Sequence, residues 1–281
     1  MPYVSARDGV KLHYEQHDHT DPWKQAPLLI LQHGYGRSSR FWYNLIPYLS
    51  RFYKVVCPDM RGLGQSSMDF DLASGISVDN FVSDIICIAD AVGADTFHYA
   101  GESMGGIIGF ATAARHPERV RTLSLMSAPL RINQVSQALF KFGYASRDEA
   151  MRSMGSKGWS EAMNTASRFP PDADPGMMRW YADEMGKSDV EVLIAMARFN
   201  STVDVSALLP GIKAPTLGLY PSDGKTASTD QQKILLDTVP GSRIVHIPSP
   251  YHMVWVMAPS ACAKHILYFM ASNDGTVCDE K

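Results

Sequence analysis

Residues 96–107 read TFHYAGESMGGI, an apolar, strand-like run that breaks around a lone serine and then continues as IGFATAARH (108–116) with helical character. The frame Gly101-x-Ser103-x-Gly105 between a strand and a helix is the pattern of a nucleophile elbow. In such a turn the serine takes positive φ, which costs a residue with a Cβ about 1 to 3 kcal/mol. Side chains two residues before and after would collide there, so glycines belong at 101 and 105. In return the hydroxyl stands above the sheet at a helix N-terminus, where the dipole and free amides favour developing negative charge. A capping serine in a glycine-rich turn would produce the same string, so the reading depends on the rest of the chain.

Three other stretches join it. His33-Gly34-Tyr35-Gly36 follows the apolar run LLIL, and the glycines at 34 and 36 leave the Tyr35 amide free to point toward Ser103. With the Met104 amide it would make two oxyanion donors, each worth roughly 3 to 4 kcal/mol when well placed. PTLGLYPSDG (215–224) ends a strand near Asp223, and SPYH (249–252) brings His252 after the next one. Serine, then acid, then histidine is the chain order in which a parallel α/β sheet mounts such a triad on late loops.

Strand-like segments begin at LLILQH (28), YKVVCPD (53), TFHYAG (96), RTLSLMSA (121), PTLGLY (215) and SRIVHI (242), with longer helical stretches between them. That alternation predicts a parallel sheet covered by helices on both faces. PYVSA and VKLHYEQ, joined across Arg7-Asp8-Gly9, add an edge hairpin and bring the count to eight strands. Between about Ala128 and Pro210 the alternation stops and helical pieces take over: VSQALFKFGY, RDEAMRSM, WSEAMNTASRF, PGMMRWYADEMG and VEVLIAMARFN. We therefore expect a core of residues 1–130 and 210–281, with a helical cap at 131–209 lying over the ligand-binding edge of the sheet.

The chain has 281 residues, 45% hydrophobic and 20% charged, with a net charge of −3 and no run of one sign. This argues against nucleic-acid or membrane-surface partners and favours a small-molecule substrate. The amino terminus lacks the apolar core of a signal peptide, and no segment reaches the ~18 apolar residues of a membrane span, so a cytoplasmic location is expected. Cys57, Cys87, Cys262 and Cys278 lack the spacing of a zinc site and read as buried free thiols. Homo-oligomerisation is left open.

Together HGYGRSSRFW (33), PDMRGLGQSS (58), GESMGG (101), ARHPERVRTLSLMSAP (114) and YHMVWVMAP (251) resemble the α/β-hydrolase fold superfamily over roughly residues 3 to 271. Within it the chain looks most like small capped esterases and the 3-oxoadipate enol-lactonase group. Two positions depart from the pattern: Tyr251 where a glycine often precedes the histidine, and Pro221-Ser-Asp-Gly-Lys-Thr in the acid loop.

The resemblance implies a hydrolase of small esters or lactones that needs no metal or cofactor. Ser103 would be the nucleophile, His252 the general base and Asp223 its orienting acid, with the Tyr35 and Met104 amides as the oxyanion hole. Acyl transfer or carbon–carbon bond hydrolysis on the same triad is an alternative, as is a ligand receptor retaining the fold. From Arg131 to Asn200 nine Lys or Arg balance nine Asp or Glu, which predicts no net field for an anionic substrate. Seven of the fifteen methionines in the same stretch suggest a pliable apolar wall or simple helix packing.

Overall fold

The computed structural model describes residues 2–132, 137–138, 140–222 and 227–275, so Asp223 and Cys278 lie outside the described residues. Eight strands form one sheet: β1 (Tyr3–Ser5), β2 (Lys11–His17), β3 (Leu28–Gln32), β4 (Lys54–Pro58), β5 (Phe97–Glu102), β6 (Val120–Met126), β7 (Thr216–Pro221) and β8 (Arg243–Ile247). Their spatial order is β1-β2-β4-β3-β5-β6-β7-β8. The first two strands run antiparallel to their neighbours and the remaining pairs are parallel. Each expected strand is present to within a residue or two, and the Asp8-Gly9 turn closes the edge hairpin with Gly9 at φ 88°.

The central strands β3, β5 and β7 are buried along their whole length, as parallel strands sandwiched between helices must be. Alternate side chains of β3 supply opposite faces. Leu28 and Ile30 join the apolar cluster that includes Phe81, Ile85 and Phe110, whereas Leu29 and Leu31 join the one that includes Trp42, Ile266 and Phe269.

The longer helices are α1 (Val78–Ala91), α2 (Met104–Arg115), α3 (Arg147–Met163), α4 (Pro175–Met185), α5 (Val190–Thr202), α6 (Thr229–Thr238) and α7 (Pro259–Asp274). Their starts carry the expected chemistry. Ser77, Ser146, Asp174 and Asp189 each accept a hydrogen bond from a first-turn amide, and Pro175 and Pro259 occupy first helical positions.

Between β6 and β7 the described chain is helical, with α3 to α5 where helical periodicity was read and one short bridge, Arg131 to Asp204. Two details differ from expectation. RDEAMRSM and WSEAM run together as α3, broken only where Gly155 leaves helical geometry at φ 68°. The helix expected over 135–144 lies partly outside the described residues, and its second half is turns, because Phe142 and Gly143 both take positive φ. Cys57 and Cys262 are buried free thiols as expected, but Cys87, on α1, is only half-buried. Among the described residues no helix is long and apolar enough to cross a membrane.

Candidate active site

Ser103 sits between β5 and α2 at φ 50°, ψ −118°, a conformation that side-chain-bearing residues avoid. It is held there by its own amide, which donates to the Met126 carbonyl of β6 (3.0 Å), and by the Tyr99 hydroxyl, which donates to the Gly105 carbonyl (2.7 Å). The glycines are sterically required. A Cβ on Gly101 would come within 2.5 Å of the Gly105 oxygen, and one on Gly105 would overlap the backbone carbonyls of Gln32 and His33. The elbow therefore packs directly on the strand end that carries the second turn.

That second turn, residues 33–37, is anchored from below. The Met60 amide donates to His33 Nε2 (3.0 Å), so the ring proton sits on Nδ1 and donates to the Gly34 carbonyl (2.8 Å). Burial holds the His33 pKa down to about 4, which keeps this tautomer neutral. The Asp59 carboxylate accepts from the Ser39 and Gln65 amides and meets His13 Nδ1 at 2.7 Å, tying the turn to the exit of β4. Gly36 takes φ 68°, and a Cβ there would strike the Met185 side chain of α4. Tyr35 is buried, its hydroxyl donating to the Leu193 carbonyl of α5 (2.9 Å). Met104 opens α2, so its N–H belongs to the first-turn donors that have no intrahelical acceptor.

His252 follows β8 and comes to the same place. The Ser127 hydroxyl donates to its carbonyl (2.8 Å), and its amide donates to the Ser167 carbonyl (3.2 Å), so β6 and the β6–β7 segment both position its loop. Its ring meets Trp255 edge-on at 5.9 Å. Burial, reinforced by the charges of Arg37 and Arg168, pushes its pKa down to about 3, so it is neutral and able to accept a proton at neutral pH. Ser103, His252 and Tyr35 line one cavity of about 50 Å³. No hydrogen bond joins the Ser103 hydroxyl to the imidazole among the described residues, a contact that in such sites commonly tightens only around substrate. Among the described residues no cluster of His, Cys, Asp and Glu could hold a metal ion.

Sequence reasoning missed four charged groups here. Glu102, immediately before the nucleophile position, is fully buried; its Oε1 accepts from the Gly34 amide and from Arg37 Nη1 (2.6 Å). A carboxylate inside an otherwise apolar strand was the signal that could have revealed it. Burial raises its pKa, against the pull of Arg37. A Cβ on Gly34 would collide with this carboxylate, so that glycine makes room for the ion pair between elbow and turn.

The other three groups are Arg37, Arg147 and Arg168, which line the cavity with Ser103 and His252. The neutral charge count over 131–200 is thus misleading about the local field. Arg152, Lys157, Lys187 and Arg198 are exposed and pair with Glu191, Asp183, Glu184 and Asp148, whereas Arg147 and Arg168 reach the cavity. Burial and the neighbouring Arg37 lower the Arg168 pKa to about 9, which still leaves it protonated at neutral pH.

The profile of a family described as alpha/beta hydrolase fold matches residues 27–154. Among curated proteins, "Putative carbamate hydrolase RutD" of Agrobacterium fabrum is 26% identical over 276 residues, 94% of this chain and all of that one. Among solved structures, the enol-lactonase of Burkholderia xenovorans LB400 superposes with a TM-score of 0.81 at 23% identity, covering 96% of this chain and 100% of that one. A thermophilic esterase from Thermogutta terrifontis gives 0.81 at 20% identity, covering 96% and 98%. The matched region runs from β3 through the elbow to the start of α3, and the superpositions span the whole sheet; the fold of this chain is the α/β-hydrolase fold.

Proposed function

We propose that the chain is a serine hydrolase of small carboxylic esters or lactones, acting through an acyl-enzyme. The observation that carries this reading is that Ser103, strained at positive φ, and His252, from a distant part of the sequence, line one small cavity. His252 takes the Ser103 proton as Oγ bonds to the substrate carbonyl carbon, and the oxyanion is received by the Tyr35 and Met104 amides. The carbon–oxygen bond to the alcohol then breaks and His252 returns the proton to the departing oxygen. Water repeats the sequence: its oxygen bonds to the acyl carbon, its proton passes through His252 to Ser103, and the acid leaves. Asp223, two residues beyond β7, is the acid we assign to orient the imidazole. The name borne by the RutD relatives makes carbamates a third class to include.

A fluorophosphonate probe should label Ser103, and Ser103→Ala should lower turnover on a panel of esters, lactones and carbamates by about three to six orders of magnitude while the protein stays folded. Labelling at another serine, or unaltered turnover in the variant, would refute the assignment. The helices between β6 and β7 act in this reading as a cap that excludes water and limits substrate size. Short esters should accordingly be cleaved far faster than emulsified long-chain triglycerides.

A further inference from the structure

The Glu102 carboxylate holds the turn that carries the Tyr35 amide. Its own backbone adjoins Ser103, while its Oε1 accepts from both ends of the turn: from the Gly34 amide and from Arg37 Nη1 (2.6 Å). The Tyr35 amide lies between those two anchors in the chain, so a single oxygen grips the turn on either side of it. Besides this grip, the turn is closed only by a longer bond from the Arg37 amide to the Gly34 carbonyl (3.4 Å) and by the His33 ring on that same carbonyl. Arg37 carries the link onward. Its Nη2 contacts the Met253 sulfur (3.2 Å), and its guanidinium lies 5.6 Å from the centre of the Trp255 ring, which meets the His252 ring edge-on. Elbow, turn and histidine loop thus converge on one ion pair whose members are 1% and 3% exposed.

This pair is poorly built as a source of stability. Glu102 Oε2 and Arg37 Nε are buried without a hydrogen-bond partner among the described residues, so the contact lacks the bidentate fork that a guanidinium can offer. Arg61, which is equally buried but does not line the cavity, makes that fork with Asp84 through Nε (2.8 Å) and Nη2 (2.6 Å) and adds Asp8 through Nη1 (2.7 Å). Desolvating two charges offsets what an incomplete pair returns, and apolar replacements of similar volume are often neutral or stabilising. We propose that Glu102 is a positioning residue for the oxyanion hole: through Gly34 and Arg37 it fixes the Tyr35 amide relative to Ser103. The role rests on the hydrolase reading above, because the amide has an oxyanion to receive only where Ser103 attacks a carbonyl. That oxyanion exists only in and around the transition state, so a displaced donor should lower kcat and leave KM alone.

Turnover of para-nitrophenyl acetate, inhibition by trifluoroacetone and thermal melts test this. Trifluoroacetone takes up the Ser103 oxygen at its carbonyl carbon and leaves an oxyanion in the hole, so its affinity reads the donors directly. Glu102→Met/Arg37→Met removes both charges at once and should melt within about 3 °C of wild type. Its kcat should fall by about a hundredfold with KM within about threefold, and trifluoroacetone should bind more weakly by a similar factor. Glu102→Gln keeps an oxygen for the Gly34 amide and should retain at least about a tenth of the wild-type kcat. If the double variant does not fold, Glu102→Asp decides: it keeps the charge but withdraws the oxygens by one methylene, and should lose about tenfold or more in kcat at unchanged KM. A kcat within about threefold of wild type in the deciding variant, or a loss confined to KM with trifluoroacetone affinity unchanged, would overturn the positioning role and leave the hydrolase reading intact. A wild type that neither cleaves the ester nor reacts with the fluorophosphonate refutes the hydrolase reading, and the positioning role with it.

Discussion

Replacing Ser103 by glycine separates what the elbow does for catalysis from what it costs the fold. At φ 50°, ψ −118° the residue is outside even the left-handed helical well, so its Cβ carries a conformational penalty of about 1 to 3 kcal/mol. Glycine removes that penalty but loses about 0.5 to 1 kcal/mol through the greater freedom of its unfolded chain. The net expectation is a gain of about 0 to 2.5 kcal/mol, centred a little above 1 kcal/mol. At about 2 °C or a little more per kcal/mol for a chain of this size, Ser103→Gly should melt about 2 to 3 °C above wild type, and no more than about 6 °C above it. Ser103→Ala is the control: it also lacks the hydroxyl, but it keeps the Cβ and therefore the strain. Calorimetric melts of the three proteins, checked by urea midpoints, make the comparison, and both variants should be without turnover. A glycine variant that melts no higher than the alanine variant would show that the elbow is unstrained, and the steric reading of positions 101 to 105 would fail with it.

Two further expectations follow from the same geometry. Gly105→Ala should destabilise the protein by more than about 2 kcal/mol, because its Cβ meets backbone carbonyls of β3 and the adjoining turn rather than a flexible side chain; a melt within a degree of wild type would refute the close approach. Burial holds His33 and His98 to pKa values of about 4 and His252 to about 3, against 6.5 for an exposed histidine. Between pH 6.5 and about 4 the unfolded chain therefore binds protons that the folded one refuses, so stability is full above 6.5 and falls as the pH drops through that window, by up to about 1.4 kcal/mol per imidazole per pH unit. Urea midpoints that stay flat from pH 7 to 5 would contradict this.

The features that the sequence determined by itself are those written over a few residues. The eight strands were legible because β-branched, apolar runs alternate with helical periodicity, and the two-residue repeat of β3 already assigns Leu28 and Leu29 to opposite faces. The elbow was legible because its steric conflict is local: Gly101 and Gly105 flank the serine they make possible. The nearness of Ser103 and His252 could be expected from the order in which the fold mounts them, although Asp223 lies outside the described residues. Tertiary structure alone decided the charge of the site. Glu102 meets Arg37 across two turns, and Arg147 and Arg168 come to the cavity from opposite ends of α3 and the turn after it. A balanced count of charges cannot say which side chains pair at the surface and which line the cavity. That depends on how α3, α4 and α5 are rotated against the sheet, and the rotation is set by packing between residues far apart in the chain. The half-buried Cys87 has the same cause, since an apolar segment specifies a helix face only once its neighbours are in place.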